Sequence, residues 1–331
     1  MSPEAEIVSS PTRKIVECPA CECADWQKMG STEQQSGYSI CQCQNCHLIF
    51  SDPMVAADSA WYASSWLYGL RESHSGVAGG DYSVPWNFSQ ALGELQKATR
   101  GRLLDVGCAE GYFLYLAQKT GYEVTGLDFN PVSLEIARKL LGVSTVYQNS
   151  VEELGDRFPG TLFDVVTIFE VLEHTADPYQ TVLSINRLMK PGGKLFISVP
   201  GSQRWPRFFH PEVDAPPHHL TLWTEEGLKK LLERAGFRVL TVRTKPLGAE
   251  DLGFHLKLAL QGIFCRFQKR NGGGVRREQG STSPVRQVEL GKRRLETSRK
   301  IAKAALQPFC WALHLNPKAG GFTLFVHCEK V

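Results

Sequence analysis

The nine residues Leu103-Leu104-Asp105-Val106-Gly107-Cys108-Ala109-Glu110-Gly111 constrain this chain more than any other stretch. An apolar strand runs straight into a glycine-bearing loop that opens a helix. Gly107 and Gly111 let backbone approach a ligand closely, and a helix starting near Tyr112 aims its first N–H groups at any carboxylate or phosphate held in the loop. The next apolar strand, Glu123–Leu127, ends in Asp128, about 20 residues on, where doubly wound folds set an acid against ribose hydroxyls. This order of parts predicts a small-cofactor site.

The loop lacks the third glycine of the dinucleotide fingerprint and carries Asp105 inside the strand end. In this it resembles the class I S-adenosylmethionine-dependent methyltransferases, where D-x-G-x-x-x-G holds the methionine moiety and the acid after the second strand holds the ribose. The resemblance implies those roles for Asp105, Gly107, Gly111 and Asp128, with Cys108 and Ala109 supplying loop backbone. It also implies that Phe129 stacks on adenine, that Asn149, Ser150 and Val151 edge the ring, and that Phe169 borders the cofactor. Cys108 has no paired base nearby in the sequence and is not read as a nucleophile.

From Arg102 onward strand and helix patterns alternate, which predicts a parallel sheet covered on both faces. Strands are expected at 102–106, 123–127, 143–147, 164–169, 194–199 and 237–243. Helices are expected at 112–120, 131–141, after Asp177, and at 225–235, the last closed by Gly236. Phe322 to His327 reads as the final strand, which in the methyltransferase fold is antiparallel. The expected class is therefore α/β, a Rossmann-like doubly wound methyltransferase sheet with a small N-terminal zinc-ribbon-like module.

That module rests on cysteine spacing. Six of the ten cysteines precede residue 47, and Cys18-Pro-Ala-Cys21 and Cys43-Gln-Asn-Cys46 are two C-x-x-C knuckles with 21 residues between them. Such a pair can offer four thiolates to one tetrahedral structural zinc with no open position. The pattern, followed by Leu48-Ile49-Phe50 and Asp52-Pro53, is similar to the zinc-binding head of many bacterial methyltransferases. That family has glycine after the last cysteine, whereas this chain has His47.

The expected organisation is a flexible tail at 1–16, the zinc module at 17–53, and an aromatic helical cap or linker at 54–99. The methyltransferase core then occupies 100–246, a helical and basic mobile insertion 247–317, and the last core strand 318–331. The aromatic stretch reads either as a cover over the cofactor or as an ordinary packing helix. Residues 266–300 hold eleven Lys/Arg against three Glu, a solvated linker that could also touch an anionic surface. A net charge of +3 and 42% hydrophobic content demand neither nucleic acid nor membrane. With no apolar leader or bilayer-length run, a soluble cytoplasmic protein is expected. Oligomeric state and the identity of the acceptor are not readable.

The fourth strand ends in Phe169-Glu170-Val171-Leu172-Glu173-His174, and E-V-L-E-H resembles the ubiquinone-pathway O-methyltransferases and a wider group of small-molecule methyltransferases. His174 is thus a candidate general base, its alternative being a structural histidine. The later Pro217-His218-His219-Leu220 run resembles a segment lining the acceptor side, which makes His219 a second candidate and His218 a neighbour. Glu170, Glu173, His174 and His219 also resemble the set that binds magnesium in small-RNA 2′-O-methyltransferases, so Glu170 joins the catalytic candidates and Mg²⁺ is a further cofactor reading. The expected function is methyl transfer to a small molecule, on oxygen first and on carbon or nitrogen second, in a biosynthetic pathway. RNA 2′-O-methylation is one alternative; between Cys18 and Cys46 Lys28 is the sole Lys/Arg, which argues against nucleic acid. A non-catalytic cofactor-binding or scaffold protein is the other.

Overall fold

A computed structural model describes residues 15–31, 37–57, 83–157, 160–202, 214–246 and 322–331. The 1–14 part of the tail, most of the aromatic segment and all of the expected insertion lie outside the described residues. The chain divides into two compact units, and the elements below belong to the first, which comprises Met1–Ser202, Pro211–Lys245 and Thr323–Val331.

The first three strands are β1 (Trp26–Ser31), β2 (Ser39–Cys43) and β3 (Ile49–Asp52), followed by helix α1 (Trp86–Leu95). The alternating core then runs β4 (Arg102–Val106), α2 (Tyr112–Lys119), β5 (Glu123–Leu127), α3 (Pro131–Leu141), β6 (Val146–Tyr147) and α4 (Val151–Arg157). It continues with β7 (Phe163–Phe169), a 3₁₀ turn at Leu172–His174, α5 (Pro178–Arg187) and β8 (Met189–Pro200). Last come β9 (Thr221–Leu222), α6 (Glu225–Arg234), β10 (Phe237–Thr244) and β11 (Thr323–Lys330).

Seven strands form one sheet in the order β10-β11-β8-β7-β4-β5-β6. β4 lies parallel to β5 and β7, β7 is parallel to β8, and β11 pairs antiparallel with both β8 and β10. The order turns at β4, with β5 on one side and β7 on the other. In open α/β sheets such a reversal of strand order leaves a ligand crevice at the carboxyl ends of the strands.

The helix boundaries follow local chemistry. Pro131 sits in the first turn of α3, the Asn130 side chain accepts from Val132 N–H at 2.9 Å, and Gly142 closes the helix in a left-handed conformation. In α5 the Asp177 carboxylate caps Gln180 N–H at 3.0 Å. β8 begins five residues before the expected Lys194 because Phe163 pairs with Met189 and the register shifts before Val165, so that Lys190, Pro191 and Gly192 ride as an exposed irregularity while Gly193 is buried. β6 is shorter than expected: Gly142 ends the helix and only Val146 and Tyr147 reach the ladder on Gly126 and Leu127.

The other sheet, β1-β2-β3-β9, joins the cysteine-rich head to the core, since β9 adds antiparallel to β3 through Ile49↔Leu222 and Phe50↔Thr221. One buried cluster accordingly contains Cys18, Cys43, Cys46, Leu48 and Phe50 together with Trp223, Leu228 and Leu231. Among the described residues no helix is long and apolar enough to cross a membrane.

Candidate active site and cysteine cluster

Three backbone loops converge at the carboxyl edge of β4, β5 and β7. After β4, Gly107 and Gly111 both have φ of +75° and Ala109 has φ of +46°. A Cβ on Gly107 would meet Val171 Cγ2 at 2.2 Å, and one on Gly111 would meet Ala137 Cβ at 2.8 Å. Glycine is required at both on two counts, handedness and space. The amides of Gly107 and Cys108 donate to the Leu127 carbonyl, each at 2.8 Å, which pins the loop to the end of β5. Cys108 is buried, and burial drives its thiol well above the usual range, consistent with a packing role.

Asp128 organises this crevice. One carboxylate oxygen accepts from Ala109 N–H and the other from Asn130 N–H, both at 2.8 Å. The following Phe129 is 69% exposed, an aromatic face presented at the edge of the crevice. Asn149, Ser150 and Val151 lie just after β6. Ser150 and Glu153 form a reciprocal cap, Glu153 N–H donating to Ser150 Oγ at 3.3 Å and Ser150 N–H to Glu153 Oε2 at 3.0 Å. Val151 starts α4 and is buried.

Asp105 is 3% exposed at the end of β4, where Thr167 Oγ donates to its carboxylate at 2.7 Å. Burial raises its pKa to about 7, the Thr167 bond opposes this, and the nearby Asp128 charge adds to it. An acid at this strand end was legible, but Thr167 was not singled out. Phe169 ends β7 within an aromatic group, its ring 5.3 Å from Phe88 and 5.0 Å from Phe113. Glu170 follows with φ of +54°, a left-handed glutamate whose N–H is held by the Ser198 carbonyl at 2.8 Å. Strain of this kind collects at functional sites and costs roughly 1–3 kcal/mol.

The 3₁₀ turn places His174 against the segment before β9. Its Nδ1 contacts the His218 carbonyl at 2.5 Å, and Leu220 N–H donates to the Glu173 carbonyl at 2.8 Å. His219 also comes in: the rings of His174 and His219 are 4.9 Å apart, those of His174 and His218 4.8 Å, and those of His218 and His219 4.4 Å. The buried Glu173 carboxylate lies 3.8 Å from His174 Nε2, and the buried Asp214 carboxylate 3.9 Å from His219 Nδ1. Of the expected magnesium set of Glu170, Glu173, His174 and His219, the structure brings together His174 with Glu173 and His174 with His219. Among the described residues the histidine-bearing cluster comprises His174, His218 and His219, so His218 is a member and not a bystander. Its inclusion was not foreseeable from adjacency, because neighbours in a strand point apart. Here both amides, of His218 and His219, turn onto the Ala215 carbonyl.

In the head, Cys18, Cys21, Cys43 and Cys46 gather with their sulfurs within 4.8 Å of one another. Cys18 and Cys46, and Cys21 and Cys43, stand 3.6 Å apart. A disulfide needs about 2.05 Å, whereas four sulfurs at about 2.3 Å from a tetrahedral zinc are about 3.8 Å from each other. The donor set therefore fits zinc. Glu22 and His47, each following a knuckle's second cysteine, both take φ of +57°, so His47 adopts the left-handed turn that glycine serves in similar heads. Cys23 and Cys41 stand outside the cluster.

The strand order, the glycine cradle and Asp128 together define a class I methyltransferase fold. Residues 87–242 match the family described as a methyltransferase domain, and this part of the chain is a class I S-adenosylmethionine-dependent methyltransferase domain. A ubiquinone biosynthesis O-methyltransferase of Erwinia tasmaniensis is 44% identical over 101 residues, 29% of this chain and 41% of its own length. The enzyme of the same name from Pseudomonas aeruginosa is 39% identical over 101 residues, 29% and 43% of the two chains. The chain thus spans about two fifths of the curated relatives it matches. A solved SAM-dependent methyltransferase from Archaeoglobus fulgidus is similar at 18% identity and a TM-score of 0.46, covering 80% of this chain and 99% of its own.

Proposed function

We propose that this chain transfers the methyl group of S-adenosylmethionine to a hydroxyl oxygen of a small-molecule acceptor in a biosynthetic pathway. The observation that carries the reading is the cofactor cradle of Gly107, Gly111 and Asp128 with an imidazole cluster formed where the turn after β7 meets the segment before β9. The cofactor supplies an electrophilic methyl group on a sulfonium. Gly107 and Gly111 would give its methionine portion room, Asp128 would take the ribose hydroxyls, and Phe129 would cover the adenine. Asp105 would pair with the α-ammonium, Glu170 shapes the turn, and His174 and His219 would serve removal of the acceptor's proton. The relatives named for ubiquinone biosynthesis support an oxygen acceptor of small size. A screen of phenols, catechols, sugars and amines with labelled cofactor tests this; transfer confined to carbon or nitrogen acceptors, or none at all, would overturn it.

Asp105 gives the cofactor step a pH signature. With its pKa at about 7, the empty protein carries a neutral acid below that pH. Pairing with an ammonium requires the carboxylate, so binding must release a proton. Affinity for S-adenosylmethionine is expected to rise roughly tenfold per unit from pH 5 to about 7 and then level. For the empty protein the sign is opposite, because an acid with a raised folded pKa stabilises less as pH climbs from the unfolded value toward 7. Calorimetry across this range checks the prediction: a flat profile in the natural chain, or an unchanged slope in Asp105→Asn, would remove Asp105 from the site.

The four-cysteine head is proposed to hold one structural zinc with all positions filled by thiolate. Thr224 Oγ donates to the Cys46 carbonyl at 2.6 Å and accepts from Gly227 N–H at 2.9 Å, and Lys230 Nζ donates to Asn45 Oδ1 at 2.9 Å. The start of α6 is thereby tied to the second knuckle. Metal analysis should find one thiolate-bound zinc, lost in Cys18→Ser or Cys46→Ser, with a lower melting temperature. A metal-free protein whose head stays fully folded would contradict this.

A further inference from the structure

We propose that His174, His218 and His219 form a second metal site, a three-imidazole centre for a borderline divalent ion such as Zn²⁺ or Co²⁺ at the acceptor side of the cofactor crevice. One ring nitrogen from each lies within 4.8 Å of the other two, and the three rings are half-buried or buried. Nitrogens bound at 2.0–2.1 Å to a tetrahedral ion stand about 3.4 Å apart, so closure asks each donor pair to approach by at most about 1.4 Å. The backbone on both sides is already fixed by the Leu220 to Glu173 bond and by the two amides on Ala215.

The outer contacts are those of metal-binding histidines. His174 Nδ1 donates to a backbone carbonyl, which selects the tautomer with its lone pair on Nε2. His219 Nδ1 faces the buried Asp214 carboxylate, and Glu173 adds negative charge 3.8 Å from His174 Nε2. A carboxylate behind an imidazole orients the ring and raises its basicity toward a cation.

The donor chemistry separates this site from the magnesium set that the sequence suggested. Magnesium takes hard oxygen ligands in near-octahedral order, whereas imidazole nitrogen suits zinc, cobalt and their neighbours. Three protein ligands also leave a position open, unlike the four-cysteine site. An acceptor hydroxyl in that position would lose its proton to solvent more readily. Its oxygen pair would form the O–CH₃ bond, while the electrons of the breaking S–CH₃ bond return to sulfur and leave a neutral thioether. This catalytic use rests on the proposed O-methylation; the metal site itself does not.

The test is a Co²⁺ titration of the full chain with its head zinc in place, followed by metal analysis and visible absorption. A second ion is expected per chain, with ligand-field bands and without intense thiolate-to-cobalt charge transfer. It should persist in Cys18→Ser, weaken at least tenfold in His218→Ala and be lost in His218→Ala/His219→Ala, with cofactor affinity unchanged. If alanine disturbs the fold, His218→Asn repeats the measurement. A stoichiometry of one in the natural chain, a second ion that survives the double replacement, or displacement of Co²⁺ by millimolar Mg²⁺ would each overturn the proposal. A bound second ion together with no transfer to any hydroxyl would leave the site standing and remove the O-methylation reading.

Discussion

Replacing Gly107 by valine should weaken S-adenosylmethionine binding by at least about 100-fold. Two costs coincide at this residue. Its φ of +75° lies where a β-branched side chain is strongly disfavoured, and a Cβ would sit 2.2 Å from Val171 Cγ2. Relief requires the loop or the turn after β7 to move, and both border the crevice. Asp128→Ala provides an independent measure. It removes the acceptor for Ala109 and Asn130 N–H as well as the proposed ribose partner. Hydrogen bonds to charged groups contribute roughly 1.5–3 kcal/mol each, so a loss of about 10- to 100-fold is expected. Gly107→Ala combined with Val171→Ala separates the causes: the clash is relieved while the backbone strain remains, so binding should recover only in part. Calorimetry, with a thermal melt to establish folding, decides the matter. Undiminished affinity in Gly107→Val and Asp128→Ala would take the cofactor away from this loop.

The conformation of these loop residues could be read from the sequence because it is set locally. A strand, two glycines and a helix start occupy consecutive positions, and each glycine answers a backbone requirement. The knuckles were legible for the same reason, since C-x-x-C brings its own two sulfurs together. What escaped was contact between distant segments. The addition of β9 to β3 joins Phe50 to Thr221, and nothing in either short run announces its partner. Thr167 reaches Asp105 only because β7 lies parallel to β4, with Asp105 opposite Thr167 in the ladder. Val171 closes over Gly107 by a path across the sheet edge. His218 was set aside beside His219 because the turn that brings both rings to His174 depends on Ala215 accepting two amides. Local patterns thus specified the cradle and the donors, while tertiary pairing decided which donors meet.

On the proposed O-methylation, that pairing makes the histidine cluster the point where turnover is expected to respond most. With an acceptor in hand, His219→Ala and His174→Ala are each expected to lower kcat by roughly 10²- to 10⁴-fold, the range for loss of a group that manages a proton. Cofactor affinity should hold within a few-fold, because neither ring belongs to the Gly107–Asp128 cradle. Methyl transfer is an in-line displacement, so positioning alone sustains a residual rate. The pH profile separates the routes to proton removal. An imidazole acting directly gives activity that rises with its own deprotonation and persists in chelator. Imidazoles acting through an ion give activity that chelator abolishes and Zn²⁺ or Co²⁺ restores; Cys18→Ser run in parallel identifies any share due to the head's metal. The cluster's position gives a further distinction. His174 is held by a carbonyl 44 residues away, so His174→Asn should loosen the 218–220 segment and raise the acceptor KM as well as lowering kcat. Replacement of all three histidines with kcat unchanged would show that the crevice works by positioning alone.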